Sequence, residues 1–187
     1  MKALGNLVFV VAICALASCS QTSSTGSGDV TSSSSELQLA SGIVTEVNRY
    51  RESKGLSQLR THRGLARLAK KHSDYMMQKA NGASDPGGLI SHDGYEGRYD
   101  FAALGYGIGS IGENVIASFK LGQGSDLAPK IVRGWTSSSA HLDNIVEDWA
   151  LTGVGVSFDG EGRAFVTQLY GSAPSLVNSV GGPSRTF

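Results

Sequence analysis

Four positions in this 187-residue chain stand out by context as able to do chemistry: His92, Glu113, and Ser138 with His141. His92 stands in a glycine-bounded loop, "SHDG" at 91–94. Glu113 stands between Gly112 and Asn114 where an apolar run begins, and "SSSAHLDNI", residues 137–145, sets a hydroxyl run against His141. Two imidazoles and a carboxylate are the ligand types of an open catalytic zinc site, in which the metal polarises a water. Twenty-one residues separate His92 from Glu113 and twenty-eight separate Glu113 from His141, so this is no helix-borne His-Glu-x-x-His motif and only the tertiary fold can unite them. Ser138 and His141 also admit a nucleophile-and-base reading. That reading needs a strained nucleophile turn and an oxyanion hole, and no G-x-S-x-G is present. Ser138 is expected instead to cap the next helix through its hydroxyl, a contact worth about 1 kcal/mol.

Each candidate has a structural alternative. Glu113 could fix a loop by accepting backbone N–H bonds. His72 falls on an apolar helical stripe and reads as a core-edge histidine bonded to a carbonyl. Asn114 and Asn144 read as loop-bracing amides, and Trp135 and Trp149 as core and edge packing.

The elements that must position these residues follow from periodicity. Leu39, Ile43, Val47 and Tyr50 predict a first helix stopped by Gly55, and Leu65, Leu68, Ala69, His72 and Met76 predict a second to about Ala80, where "NGASDPGG" breaks the chain. A short helix is expected near Arg98 to Leu104, a strand over "ENVIAS" (113–118), and a third long helix from about Asp126 through Trp135, with Pro129 tolerated in its first turn. "LTGVGVSF" and "RAFVTQLY" flank "DGEG" (159–162) as a β-hairpin. Helices followed by a small sheet, without βαβ alternation, give an α+β chain, layered α-β-α. "GYGIGSIG" lacks the lysine of a phosphate-binding loop.

The N-terminus reads as an export signal: Met-Lys, an apolar run from Leu7 to Leu16, then small residues ending at Cys19. Leu16-Ala17-Ser18-Cys19 resembles a bacterial lipobox, whose cysteine is acylated and becomes the new N-terminus. Two or three acyl chains hold a protein on a membrane far more firmly than one. Residues 1–18 are then a signal peptide and 19–35 a lipidated cysteine with a Ser/Thr-rich tether. Residues 36–171 form the folded domain and 172–187 a loose tail. Cys14 lies in the discarded segment, so the domain relies on core burial without disulfides. Sixteen basic residues face sixteen acidic ones, and removing Lys2 leaves a mature charge near −1, which attracts neither nucleic acid nor an anionic surface.

"NRYRESKGLSQL", "LARLAKKHSDYM", "SHDG", "GENV", "GWTSSSAHLDNI", "GVGVSF" and "FVTQLYG" occur in this order from about Leu37 to Gly171. In order and spacing they resemble the CAP superfamily of cysteine-rich secretory proteins, antigen 5 and pathogenesis-related 1 proteins, and its bacterial branch in particular. The resemblance implies a three-layer α-β-α sandwich with a small central antiparallel sheet and a cleft lined by two histidines and up to two glutamates. Several members hold a divalent metal on those histidines. Carried onto this sequence, the cleft residues are His92, Glu113 and His141, with Ser138 and Asn114 adjacent. Animal and plant relatives have a glutamate where Ser138 stands, so the resemblance implies zinc or another divalent cation bound only weakly.

Three functions remain open: a non-enzymatic module binding a small lipid, wall component or protein partner through the cleft; a metal-dependent, peptidase-like hydrolase with His92 and His141 as ligands and Glu113 as base; and a purely structural surface protein. The first leads, because family members bind sterols or fatty acids and catalysis has rarely been agreed. The expected molecule is a monomer without nucleic-acid partners, held in the bacterial envelope by Cys19. Ser20 after the cysteine resembles an outer-membrane sorting signal.

Overall fold

The computed structural model describes residues 32–80, 83, 90–118 and 126–173. Cys14, Cys19, most of the tether, most of "NGASDPGG" and the tail from residue 174 lie outside the described residues. Helices α1 (Ser34–Ser53), α2 (Arg63–Ala80), α3 (Tyr95–Tyr106), α4 (Leu127–Thr136) and α5 (Ser139–Val146) accompany strands β1 (Arg60–Thr61), β2 (Ile111–Ala117), β3 (Leu151–Phe158) and β4 (Ala164–Gly171). Among them no helix is long and apolar enough to cross a membrane.

The first helix begins earlier than its apolar stripe indicates. Ser33 and Glu36 form a capping box: the Ser33 hydroxyl accepts from the Glu36 N–H at 3.3 Å, and the Ser33 N–H donates to Glu36 Oε2 at 2.7 Å. The serine run thus contributes the helix start rather than ending as tether at residue 35. At the other end Gly55 adopts φ +73°, the left-handed conformation that lets the chain leave α1.

The sheet order is β1-β3-β4-β2. β2 and β3 each pair antiparallel with β4, whereas β1 pairs parallel with β3 through Arg60↔Leu151 and Thr61↔Thr152. The sheet is therefore mixed, a correction to the all-antiparallel expectation. β1 reaches β3 by way of helices, so the two strands run in the same direction. Alternate residues face opposite helix layers. Val154, Val156, Val166 and Tyr170 pack on α1, α4 and α5 through Ile43, Val47, Ile131, Trp135 and Ile145. On the other face Leu151 and Leu169 pack on Leu65, Leu68 and Ala69 of α2 and Ala102 of α3, and Phe165 packs on Met76.

Two strand glycines set how closely α2 approaches. A Cβ on Gly153 would fall 2.1 Å from the Ala66 nitrogen, and one on Gly155 2.1 Å from the Lys70 nitrogen. The helix backbone lies directly on the strand, which fixes the height of His72 and Ser73 above the sheet. Ser73 donates to the Gly155 carbonyl at 3.0 Å, and Lys70 pairs with Asp74 at 2.5 Å.

Candidate binding cleft

β2 ends the sheet, and its outer edge is where the two helix layers meet. Ser110 and Ser118 bond toward the β4 side, through Ser172 N–H to Ser110 O and Ser118 N–H to Ala164 O. By alternation the carbonyls of residues 111, 113 and 115 point outward. Each accepts from a side chain of a different helix: Ile111 O from the Tyr95 hydroxyl (2.5 Å), Glu113 O from Asn144 Nδ2 (3.0 Å) and Val115 O from Trp135 Nε1 (3.3 Å). Over this edge lies a cleft of about 470 Å³, lined by His92, Tyr95 and Glu96 from the α3 side, Gly112 and Glu113 on the floor, and Asn144 and Trp149 from the α5 side.

The Glu113 side chain is 1% exposed and its carboxylate is fully engaged. Arg98 Nε donates to Oε2 at 2.6 Å and Arg98 Nη2 to Oε1 at 2.7 Å, a bidentate pair. His92 Nδ1 lies 2.8 Å from Oε1. Against a carboxylate that nitrogen carries the hydrogen, so Nε2 is the ring atom left for a ligand, and the His92 side chain is 54% exposed. Burial alone would raise the Glu113 pKa, but the bonds from His92 and Arg98 and the Arg98 charge together hold it below the ordinary value. The loop-fixing alternative for Glu113 gives way to side-chain partners.

Arg98 also fixes the histidine loop. Its Nη1 donates to Asp93 O at 2.8 Å and to His72 Nδ1 at 3.2 Å. His72 Nε2 in turn donates to Ser91 O at 2.8 Å, so the core-edge reading of His72 holds. Burial, with Arg98 adding, lowers the His72 pKa. Gly94, at φ +73°, turns the chain from His92 into α3. In the sequence Arg98 marks only the expected start of a short helix, with no role assigned to its side chain. The available signal was the spacing of Tyr95, Arg98 and Ala102, a helical stripe with an arginine inside it.

The other wall is built from amides. Asn144 Nδ2 bonds Glu113 O and Asn114 Oδ1 (2.9 Å), and Asn114 Nδ2 bonds His141 O (3.0 Å) and the Tyr170 hydroxyl (3.2 Å). Asn114 is fully buried on the α5 side of β2, so it braces the wall from behind and does not line the cleft. Trp149 Nε1 donates to Asn144 O at 3.0 Å, and its ring stacks on Tyr170 with centroids 6.5 Å apart. Trp135 is buried core, as expected. Arg51, 1% exposed and unmarked by sequence reasoning, donates to the carbonyls of Ile145 (2.7 Å) and Glu147 (2.8 Å) and secures the end of α5.

His141 sits half-buried on α5 and is not among the residues lining this cleft. Burial lowers its pKa, with neighbouring His92 adding. Ser138 occupies the N-cap position of α5, but its hydroxyl makes no capping bond. Backbone bonds hold that junction instead, from Ser138 N–H to Trp135 O (3.1 Å) and from Leu142 N–H to Ser138 O (2.8 Å). No hydrogen bond joins Ser138 to His141 among the described residues. Nor do three or more His, Cys, Asp or Glu side chains gather there to hold a metal ion.

Residues 44–170 match the family described as CAP, the cysteine-rich secretory protein family. Among solved structures the chain is similar to an extracellular SCP-domain protein from Bacillus anthracis, at 25% identity and TM-score 0.56 over 74% of this chain and 41% of that one. It shares its fold with a Staphylococcus aureus cysteine-rich secretory protein (15% identity, TM-score 0.54, 76% of this chain and 40% of that one). A Borrelia burgdorferi outer surface protein likewise shares the fold (12% identity, TM-score 0.53, 72% and 92%). The chain thus spans about two fifths of the first two proteins. No curated protein sequence matches it.

Proposed function

Because this chain belongs to the cysteine-rich secretory protein (CAP) family, we propose that it is an exported envelope protein of the bacterial branch. In this reading it is anchored through acylated Cys19, works as a monomer, and uses its cleft to bind a ligand without turning it over. Export draws support from the extracellular and outer-surface proteins that share the fold. The lipobox-like Leu16-Ala17-Ser18-Cys19 and the serine-rich tether support the anchor, with Ser20 favouring the outer membrane.

The observation that carries the binding reading is the commitment of Glu113. A general base needs an accessible lone pair and a pKa near the working pH. Glu113 is buried, bonded on both oxygens, and held below the ordinary value. It is suited to orienting His92. A divalent cation such as zinc would rest on the His92 and His141 imidazoles, with Glu113 behind His92 as the hydrogen-bonded carboxylate that metal-binding histidines commonly have. Such a cation supplies polarisation of a bound water. Two imidazoles fall short of the three protein ligands usual in catalytic zinc sites, which supports weak binding.

The test uses the Cys19→Ser chain purified from cells. Mass spectrometry of its organic extract is expected to find a co-purified small molecule. Peptidase, esterase and wall-hydrolase assays are expected to match those of the Glu113→Gln variant. A zinc-dependent turnover lost in Glu113→Gln would sink the reading in favour of the hydrolase.

A further inference from the structure

The hydrogen-bonding groups around the cleft fall into two unequal sets. The side-chain donors are committed within the protein. Arg98 spends its guanidinium on Glu113, His72 and Asp93 O. Tyr95 gives its hydroxyl hydrogen to Ile111 O, Asn144 gives its amide hydrogens to Glu113 O and Asn114 Oδ1, and Trp149 gives its N–H to Asn144 O. The Arg98 charge is paired with Glu113 behind the wall, and among the described residues no lysine or arginine lines the cleft.

What the side chains leave open are acceptors, His92 Nε2 among them. Asn144 Oδ1 accepts from no described residue, and since no buried side-chain polar atom there lacks a partner, it opens to solvent. The Tyr95 oxygen keeps a lone pair, and the exposed Glu96 carboxylate stands at the rim. Gly112 is the condition for this arrangement: a Cβ there would lie 2.9 Å from Asn144 Oδ1 and 3.0 Å from the Trp149 ring. The missing side chain keeps an acceptor and an aromatic edge together on the floor.

A site with no uncommitted side-chain donor, no cationic side chain on its wall and a carboxylate at its rim disfavours anions. Its Tyr95 and Trp149 rings offer an apolar surface beside its acceptors. Resting on the binding reading above and naming its ligand class, we infer that the cleft takes an uncharged polyhydroxylated ligand of the saccharide class, its hydroxyls donating to Asn144 Oδ1 and Glu96 and its C–H face against Trp149. A cavity of about 470 Å³ lies in the range that accommodates small organic ligands.

The chain contains two tryptophans, and Trp135 is fully buried, so a fluorescence change on ligand addition reports Trp149. The full chain in detergent is titrated with the N-acetylglucosamine trimer, with choline and with inorganic phosphate. The trimer is expected to change the emission saturably, choline and phosphate not. Gly112→Ala is expected to weaken the trimer by about tenfold or more, the loss of one to two good contacts. If Gly112→Ala fails to fold, Glu96→Gln serves in its place, with a smaller loss expected. The exposed Leu104→Ser on α3 should leave binding unchanged. Binding of choline or phosphate in place of the trimer, an unaltered trimer affinity in Gly112→Ala and Glu96→Gln, or no response to the trimer would each overturn the saccharide assignment. A co-purified molecule of another class, found with no trimer response, would remove this assignment and leave the binding reading standing.

Discussion

Arg98 grips Glu113 through two parallel bonds, 2.6 and 2.7 Å long, and with the same guanidinium holds the backbone carbonyl of Asp93. One side chain of α3 thereby sets the distance between the histidine loop and the edge strand. His92 and Glu113, twenty-one residues apart, become a hydrogen-bonded pair because a third residue fixes both.

Removing that residue should be costly. Arg98→Met leaves a buried carboxylate with His92 as its remaining charge-assisted donor, and breaking a buried pair from one side typically costs about 3–5 kcal/mol. Urea unfolding should show this loss. Arg98→Lys should recover only part of it, since an ammonium cannot reproduce the two parallel bonds. A loss under about 1 kcal/mol for Arg98→Met would mean that the pair does not hold the loop.

Acid should destabilise the fold in two stages. His72 and His141 have depressed folded-state pKa values, so the unfolded chain takes up their protons first, and stability declines as pH falls below about 6.5. Glu113 is also depressed. Its contribution is complete above the ordinary glutamate value of about 4.3 and is lost as pH falls through the lower folded value. Urea midpoints between about pH 3 and 8 should fall on this side only. In Glu113→Gln the lower stage should shrink to what the depressed Asp93, Asp126 and Asp159 contribute, while the upper one persists.

Much of the architecture was legible because it rests on repetition. The apolar stripes of α1, α2 and α4 and the alternation through the hairpin follow from which faces meet the core. β1 escaped notice because two residues, Arg60 and Thr61, cannot display a period, and its parallel pairing depends on where the helices deliver it. α3 was placed too short because its buried positions are Arg98 and Ala102, leaving little apolar contrast. The motif order brought His92 and Glu113 to one site but could not show that Glu113 is consumed by Arg98, since a bidentate contact is a matter of side-chain geometry. Ser138 lay at the expected cap position, yet its hydroxyl is unused because backbone bonds already join α4 to α5.

Glycine substitutions should have opposite effects in two places. Gly155→Ala drives a Cβ to 2.1 Å from the Lys70 backbone and should cost more than about 3 kcal/mol or prevent folding. Gly97→Ala, in α3 with nothing within 4 Å of the new atom, should stabilise by about 0.5–1 kcal/mol. Thermal melts of both variants decide it. Equal melting temperatures would contradict the close packing of α2 on β3.

Zinc titration separates the three histidines. His92→Ala and His141→Ala should each abolish what binding there is, and binding to the parent should weaken in acid, where protons compete with the metal for imidazole nitrogen. His72→Ala should leave zinc affinity intact while costing about 1–3 kcal/mol in stability, because Arg98 and Ser91 O lose a buried partner. Ser138→Glu, adding a carboxylate, should tighten binding. Calorimetry showing the same zinc affinity in both His92 and His141 variants would dispose of the site.

Cys19→Ser should move the protein from the detergent phase to the aqueous phase, because it removes the thiol that would carry the acyl chains. Equal partitioning of parent and variant would refute the anchor.

The side chains of Tyr95, Asn144 and Trp135 that occupy the outer carbonyls of β2 have a consequence for crowding. Were the proposed Cys19 anchor to hold many copies on one surface, an open sheet edge would let neighbours zip strand to strand into aggregates. Here three acceptors of that edge are already taken, each by a different helix, so a neighbouring strand would have to displace all three bonds before it could pair. Pairing through the β2 edge would therefore cost the three side-chain bonds that also shape the cleft.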